Sequence, residues 1–482
     1  MFRALVLIHR YVGIAVGLLM AMWCLSGVVM MYVPYPQLRD EQRIAALPPI
    51  EWQGCCQFGE SSGSGPAAAP ISDDTSVPNF QVEMLGMRPV LRAMFAGTGR
   101  RIVDLRTGAV VENVSEPDAA QIASGLAKSL GADGTPRAGL LTLRDQWTVA
   151  ANRAERPFYE FDFDDPARTV VYVSNASGKA IQVTQSTQRF WNWLGSVPHW
   201  LYPTALRQYP QAWNQVVIWT SVVGTFLAAT GLYLGIKELR RRANGKLSSP
   251  HRGLMYWHHV PGLIFGVLVL SWVLSGLFSM NPWGLMEGGD IVEDMMTLSG
   301  EPPHWSQVRG LIGSIAARAP ANVRSLNSAS FGGELAVIAS LADGSRVRLD
   351  ATGAAKALGK NEWGAAASRL DLAPTSWSVL NEEDTYHYST RTHSAVLPVI
   401  RITGEGAQAV RYYLDPVSGR MVNKVDAGGR SYRWWHSALH TFDFSALSRS
   451  EWFRNLLMLP LLLGAAAVCV TGTWLGVRRL TR

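Results

Sequence analysis

The sequence predicts a helical membrane protein: a four-helix transmembrane bundle built from two tandem parallel repeats, each with an α+β domain in its outer loop. Three observations carry this prediction. Only 17% of the 482 residues are charged, against roughly 25% in an ordinary soluble domain. The apolar residues gather in four blocks, Tyr11 to Tyr32, Trp213 to Ile236, Val260 to Met280 and Leu456 to Val477, none containing Asp, Glu, Lys or Arg. Each has the ~20 residues an α-helix needs to cross a hydrocarbon core of about 30 Å. The third observation is internal repetition. A shift of 249 residues places His9 on His258, Gly13 on Gly262, Gly17 on Gly266, Trp23 on Trp272 and Leu25-Ser26-Gly27 on Leu274-Ser275-Gly276. A shift of 241 places Tyr172 on Tyr413, Arg189 on Arg430, His199 on His440 and Thr230-Gly231 on Thr471-Gly472.

In chain order, residues 1–33 hold the first spanning helix. It is too long for a signal peptide and lacks a small-x-small cleavage site. Residues 34–190 form the first outer α+β region, with a helix at Glu116 to Leu130 and strands near Phe158 to Phe163 and Thr169 to Val173. The stretch from Cys55 to Ser76 is rich in Gly, Ser, Ala and Pro and reads as a linker. Residues 191–236 hold an interfacial segment and the second spanning helix, 237–256 a loop, and 257–280 the third helix. The second outer region, 281–430, has a helix at Val308 to Ala319 and strands near Leu335 to Ile338, Arg346 to Leu349, Val396 to Thr403 and Ala409 to Leu414. Residues 431–482 hold another interfacial segment, the fourth helix and a tail. The Gly13/Gly17 and Gly262/Gly266 spacings put small residues on one helix face, as close packing requires.

The formal charge of +7 comes from 44 Lys and Arg against 37 Asp and Glu. The basic residues flank the apolar blocks: Arg3 and Arg10, then Lys237 to Arg252, then Arg478, Arg479 and Arg482. By the positive-inside rule both termini and the middle loop are cytoplasmic. Nucleic-acid binding is not expected. Cys24 and Cys469 read as small buried hydrophobes. Cys55 and Cys56 are adjacent, a spacing that closes a disulfide ring only with difficulty, and no CxxCH motif supports covalent haem attachment.

The repeat sorts the ten histidines. His9 and His258 head the first and third helices, while His199 and His440 precede the second and fourth. Two imidazoles from facing helices can fill both axial positions of a haem iron, and two such pairs at two depths would make an electron path. His259 adjoins His258, and His436 lies one helical turn before His440; either could replace its neighbour as ligand. Arg189 and Arg430 are candidates to pair with haem propionates. A zinc or copper centre would add matched Cys, Met or carboxylate donors, and none are matched across the halves. His251, His304, His387 and His393 read as surface residues.

The segments His9-Arg-Tyr-Val-Gly13, Trp257-His-His-Val-Pro-Gly-Leu263, Pro198-His-Trp-Leu-Tyr202, Tyr412-Tyr-Leu-Asp-Pro-Val-Ser-Gly419 and His436-Ser-Ala-Leu-His-Thr-Phe-Asp-Phe444 resemble the PepSY-associated transmembrane family. The resemblance covers nearly the whole chain apart from the linker around Cys55. It implies a bacterial inner-membrane protein with two large periplasmic PepSY-like regions. It also implies similarity to di-haem ferric-siderophore reductases, with two haem b per chain. Their substrate is a ferric siderophore or other periplasmic ferric chelate, and quinol or a separate cytoplasmic reductase would supply electrons. Within the resemblance, His9, His258 or His259, His199, and His440 or His436 fall in the family's histidine motifs. Two other readings stay open: a non-enzymatic PepSY-domain membrane protein that binds or senses a periplasmic partner, and an iron or siderophore transporter component.

Overall fold

The computed structural model describes residues 2–56, 58, 71–137, 139–370, 375–404 and 409–481. Most of the expected linker falls outside them. The chain divides into a helical unit, 1–35 with 187–288 and 427–482, and a sheet unit, 36–186 with 289–426.

The helical unit contains α1 (Phe2–Met30), α2 (Pro210–Glu238), α3 (Leu254–Ser279) and α4 (Glu451–Leu480). All four are long and apolar enough to cross a membrane. They overrun the apolar blocks at their first ends, since nothing between Phe2 and Arg10 or between Glu451 and Leu456 breaks a helix. Each of α1 and α3 packs against both α2 and α4. Glycines allow the close approaches. A Cβ on Gly17 would lie 2.8 Å from Thr473 Oγ1, one on Gly266 2.9 Å from Leu232 Cδ2, and one on Gly476 2.8 Å from Ile14 Cγ1. Gly13 and Gly262 are looser, at 3.7 Å from Leu227 and 3.8 Å from Val468. Short helices Ser186–Leu194, Ser196–His199 and Thr204–Arg207 lead into α2. Helix Ala427–Tyr432, a π-helical turn Arg433–Ala438 and Leu439–Thr441 occur in the segment before α4.

The sheet unit is built on a six-stranded antiparallel sheet. Its strand order is Arg346–Asp350, Ala336–Leu341, Val323–Ser328, Asn79–Leu85, Arg88–Phe95 and Gly99–Asp104. Three strands come from each half of the chain, joined where Gln81 opposes Asn327 and Val82 opposes Leu326. The segment between α1 and α2 and the segment between α3 and α4 therefore share one sheet, and each covers an edge that the other would leave unpaired. One sheet face packs on helix Trp305–Arg318 through Val82, Leu91, Phe95, Leu311 and Ile312. The other packs on helix Glu116–Ser129 through Leu85, Val90, Ile102, Ala123 and Leu126.

Two further four-stranded antiparallel sheets flank it, Leu140–Thr142 to Ala180–Thr184 and Thr375–Leu380 to Met421–Val425. Tyr172 and Tyr413 are fully buried at matching bulges, donating to Asp145 (2.6 Å) and Asp384 (2.8 Å). Cys55 and Cys56 are joined by a disulfide, both packed against the core containing Trp52 and Trp305. Against expectation, His387 is buried, stacked on Tyr413 with its Nε2 on the Val396 carbonyl. His304 and His393 are exposed.

Candidate cofactor-binding site

His199 closes the short helix Ser196–His199, and His440 follows the π-helical turn. A turn of this kind widens the backbone and is frequent at functional positions. His199 Nδ1 lies 3.1 Å from the Trp23 carbonyl and 3.1 Å from Ser26 Oγ. His440 Nδ1 lies 3.2 Å from the Trp272 carbonyl and 3.0 Å from Ser275 Oγ. A carbonyl oxygen only accepts, so Nδ1 carries the proton in both rings. Nε2 then presents a lone pair, and no hydrogen bond engages it among the described residues. The two rings are 6.1 Å apart between centroids and inclined at 68°. Two imidazoles bound to opposite faces of one metal, at about 2 Å per bond, have centroids roughly 6 Å apart.

His9 and His258 are arranged alike near the first ends of α1 and α3. His258 Nδ1 donates to the Val468 carbonyl at 3.2 Å and approaches Thr471 Oγ1 at 3.4 Å. His9 Nδ1 meets Thr230 Oγ1 at 3.3 Å. That hydroxyl already donates to the Phe226 carbonyl (2.8 Å), so it accepts from His9. Each ring brings its Cε1 atom close to a glycine: a Cβ on Gly231 would come within 2.7 Å of His9 Cε1, and one on Gly472 within 2.7 Å of His258 Cε1. Both imidazoles line a cavity of about 760 Å³ whose walls include Gly13, Gly17, Gly262 and Gly266. That volume suits a ligand of cofactor size. His9 and Ser26 are seventeen residues apart on α1, which separates the two histidine levels by roughly 25 Å at 1.5 Å per residue.

The neighbouring histidines differ from these four. His259 donates through Nε2 to the Gly235 carbonyl (2.8 Å) and accepts at Nδ1 from Ser249 (2.8 Å), so both ring nitrogens are engaged. His436 donates through Nδ1 to the Ser275 carbonyl (2.9 Å) and stacks on His440, with centroids 5.1 Å apart. His251 Nε2 meets Glu238 at 2.6 Å. Arg189 and Arg430 lie on helices Ser186–Leu194 and Ala427–Tyr432 and do not line the cavity around His9 and His258. Arg10, Arg252, Arg478 and Arg479 do. The sequence shows these four arginines only as charges flanking apolar blocks, and the signal that could single them out is their nearness in sequence to His9, His258 and Gly476. Among the described residues no three of His, Cys, Asp and Glu gather as a metal-ion site.

Four helices long and apolar enough to cross a membrane, with His9 and His258 lining a cavity among them, define a protein of the membrane class. The chain belongs to the family described as the PepSY-associated TM region, whose model matches residues 6–479. No curated protein matches the chain.

Proposed function

We propose that this chain is a bacterial inner-membrane electron-transfer protein that holds two b-type haems and reduces ferric iron in a periplasmic chelate such as a ferric siderophore. His199 and His440 would hold one haem, His9 and His258 the other. In this reading the chain is two tandem parallel repeats with both termini cytoplasmic, and the sheet unit is periplasmic. The observation that carries it is the tautomer shared by all four histidines: Nδ1 spent on a carbonyl or hydroxyl of a neighbouring helix, Nε2 left with a lone pair. A ligating histidine is normally oriented this way by its other nitrogen.

Bound haem supplies a one-electron carrier whose potential follows axial ligand, burial and nearby charge. The chain's own residues do the rest. Trp23, Trp272 and Val468 carbonyls fix three rings, and Thr230 fixes the fourth. The glycine walls admit a flat group, and Arg10, Arg252, Arg478 and Arg479 offer cations to its carboxylates. Electrons would enter from quinol or a separate cytoplasmic reductase. Ferric chelates bind iron through hard oxygen donors that grip ferrous iron far less firmly, so one electron releases the metal.

The test is a reduced-minus-oxidised absorption spectrum of the purified protein with a pyridine haemochrome assay. Two haem b per chain are expected, and His199→Ala or His440→Ala should each remove one. A protein that stays colourless after haem reconstitution overturns the proposal, and retention of both haems in His440→Ala overturns the pairing.

A further inference from the structure

The sheet unit holds a second cavity, about 750 Å³, unrelated to the histidines. Five cations line it, Arg43, Arg92, Lys128, Lys179 and Arg324, against a single carboxylate, Glu83. Glu83 is almost fully buried, and its oxygens are already taken. Arg43 grips it with two bonds of 2.9 Å, Arg92 reaches it at 3.2 Å, and Gln81 and Ser325 donate to it as well. Burial alone would push this carboxyl up, yet the guanidinium groups of Arg43 and Arg92 hold it below its ordinary value. Both Glu83 oxygens are engaged by these groups, and Glu83 and Glu155 attract the Lys179 ammonium only through space. The Lys179 ammonium has no hydrogen-bond partner among the described residues. Burial, with Arg92 and Arg43 adding repulsion against the pull of Glu83, brings Lys179 down to about 8.

A concave site with a surplus of cations and one partner-free ammonium costs stability until an anion enters it. Arginine and lysine both favour oxygen anions, and the arginine fork fits a carboxylate. Leu47, Pro48, Met84 and Leu126 add apolar wall for a carbon skeleton. We infer that this cavity binds a small organic polycarboxylate, with Lys179 as its central partner and Lys128 and Arg324 at its rim. The inference is independent of the haem proposal.

Isothermal titration of the full-length protein in detergent with citrate tests it. Saturable binding near one per chain is expected, weakened at least tenfold by Lys179→Met and severalfold by Lys128→Gln, whose side chain is exposed. Because an anion raises the Lys179 pKa, citrate binding at pH 8 should take up protons. Measuring the heat in two buffers of different ionisation enthalpy reads this uptake, which Lys179→Met should abolish. Lys179→Met without ligand should melt no lower than the parent, since it removes an unpartnered cation. Absence of saturable binding, or equal affinity in parent and Lys179→Met, overturns the inference. Binding of pyrophosphate in place of citrate overturns the carboxylate assignment.

Discussion

Gly231 and Gly472 touch the imidazoles of His9 and His258 so closely that a methyl group cannot be added without moving something, because the 2.7 Å approach is to a ring held by its own hydrogen bond. Gly27 and Gly276 face His199 and His440 at 3.5 and 3.4 Å, ordinary contact for a Cβ. Gly231→Ala should therefore cost about 1–3 kcal/mol, as overpacking does, and lower haem content toward one per chain. Gly27→Ala should leave both melting temperature and haem content nearly unchanged. Equal effects at the two positions, read by absorbance per chain and thermal melting, would refute this account of ring placement. The four histidines themselves were legible in the sequence because the repeat marks them. The tautomers were not, since they depend on carbonyls of other helices, such as Trp23 and Val468, that sequence spacing does not bring near.

The connection between α2 and α3 is held by His251, which meets Glu238, and by His259. His259, the sixth residue of α3, bonds the Gly235 carbonyl near the end of α2 and Ser249 in the loop. His259→Ala leaves a buried carbonyl and a half-buried hydroxyl short of a partner and should destabilise by about 1–3 kcal/mol while both haems stay bound. His258→Ala should do the reverse, with one haem lost and a melting temperature closer to the parent's. Identical spectra from the two variants would void the distinction. At this scale the spanning helices and the helices at Glu116 and Trp305 were readable from apolar runs and periodicity. The strands Asn79–Leu85, Arg88–Phe95 and Gly99–Asp104 were not. Their sheet is covered on both faces, so the alternation that marks a half-buried strand is missing. Glu83 and Arg92 also occupy buried positions that a sequence reading assigns to apolar residues.

Neither half of the molecule is complete without the other. Each proposed haem site takes one histidine from each half, His9 with His258 and His199 with His440, and the central sheet pairs Asn79–Leu85 of one half with Val323–Ser328 of the other. α1 and α4, and likewise α2 and α3, pack across the same division. The only covalent link between the halves is the connection between α2 and α3, whose tip at Asn244 and Gly245 is exposed. A chain cut there loses no buried contact, and loop closure adds only a small entropic term for such a connection. Co-expressed fragments 1–244 and 245–482 should therefore assemble, co-purify and show the spectrum of the intact protein. Either fragment alone exposes a sheet edge and an unpaired helix face and carries half of each histidine pair, so it should aggregate or be degraded without haem. A single fragment that folded as a monomer and reproduced the parent spectrum would show that each half builds its own site, and the pairing of histidines across the halves would have to be abandoned.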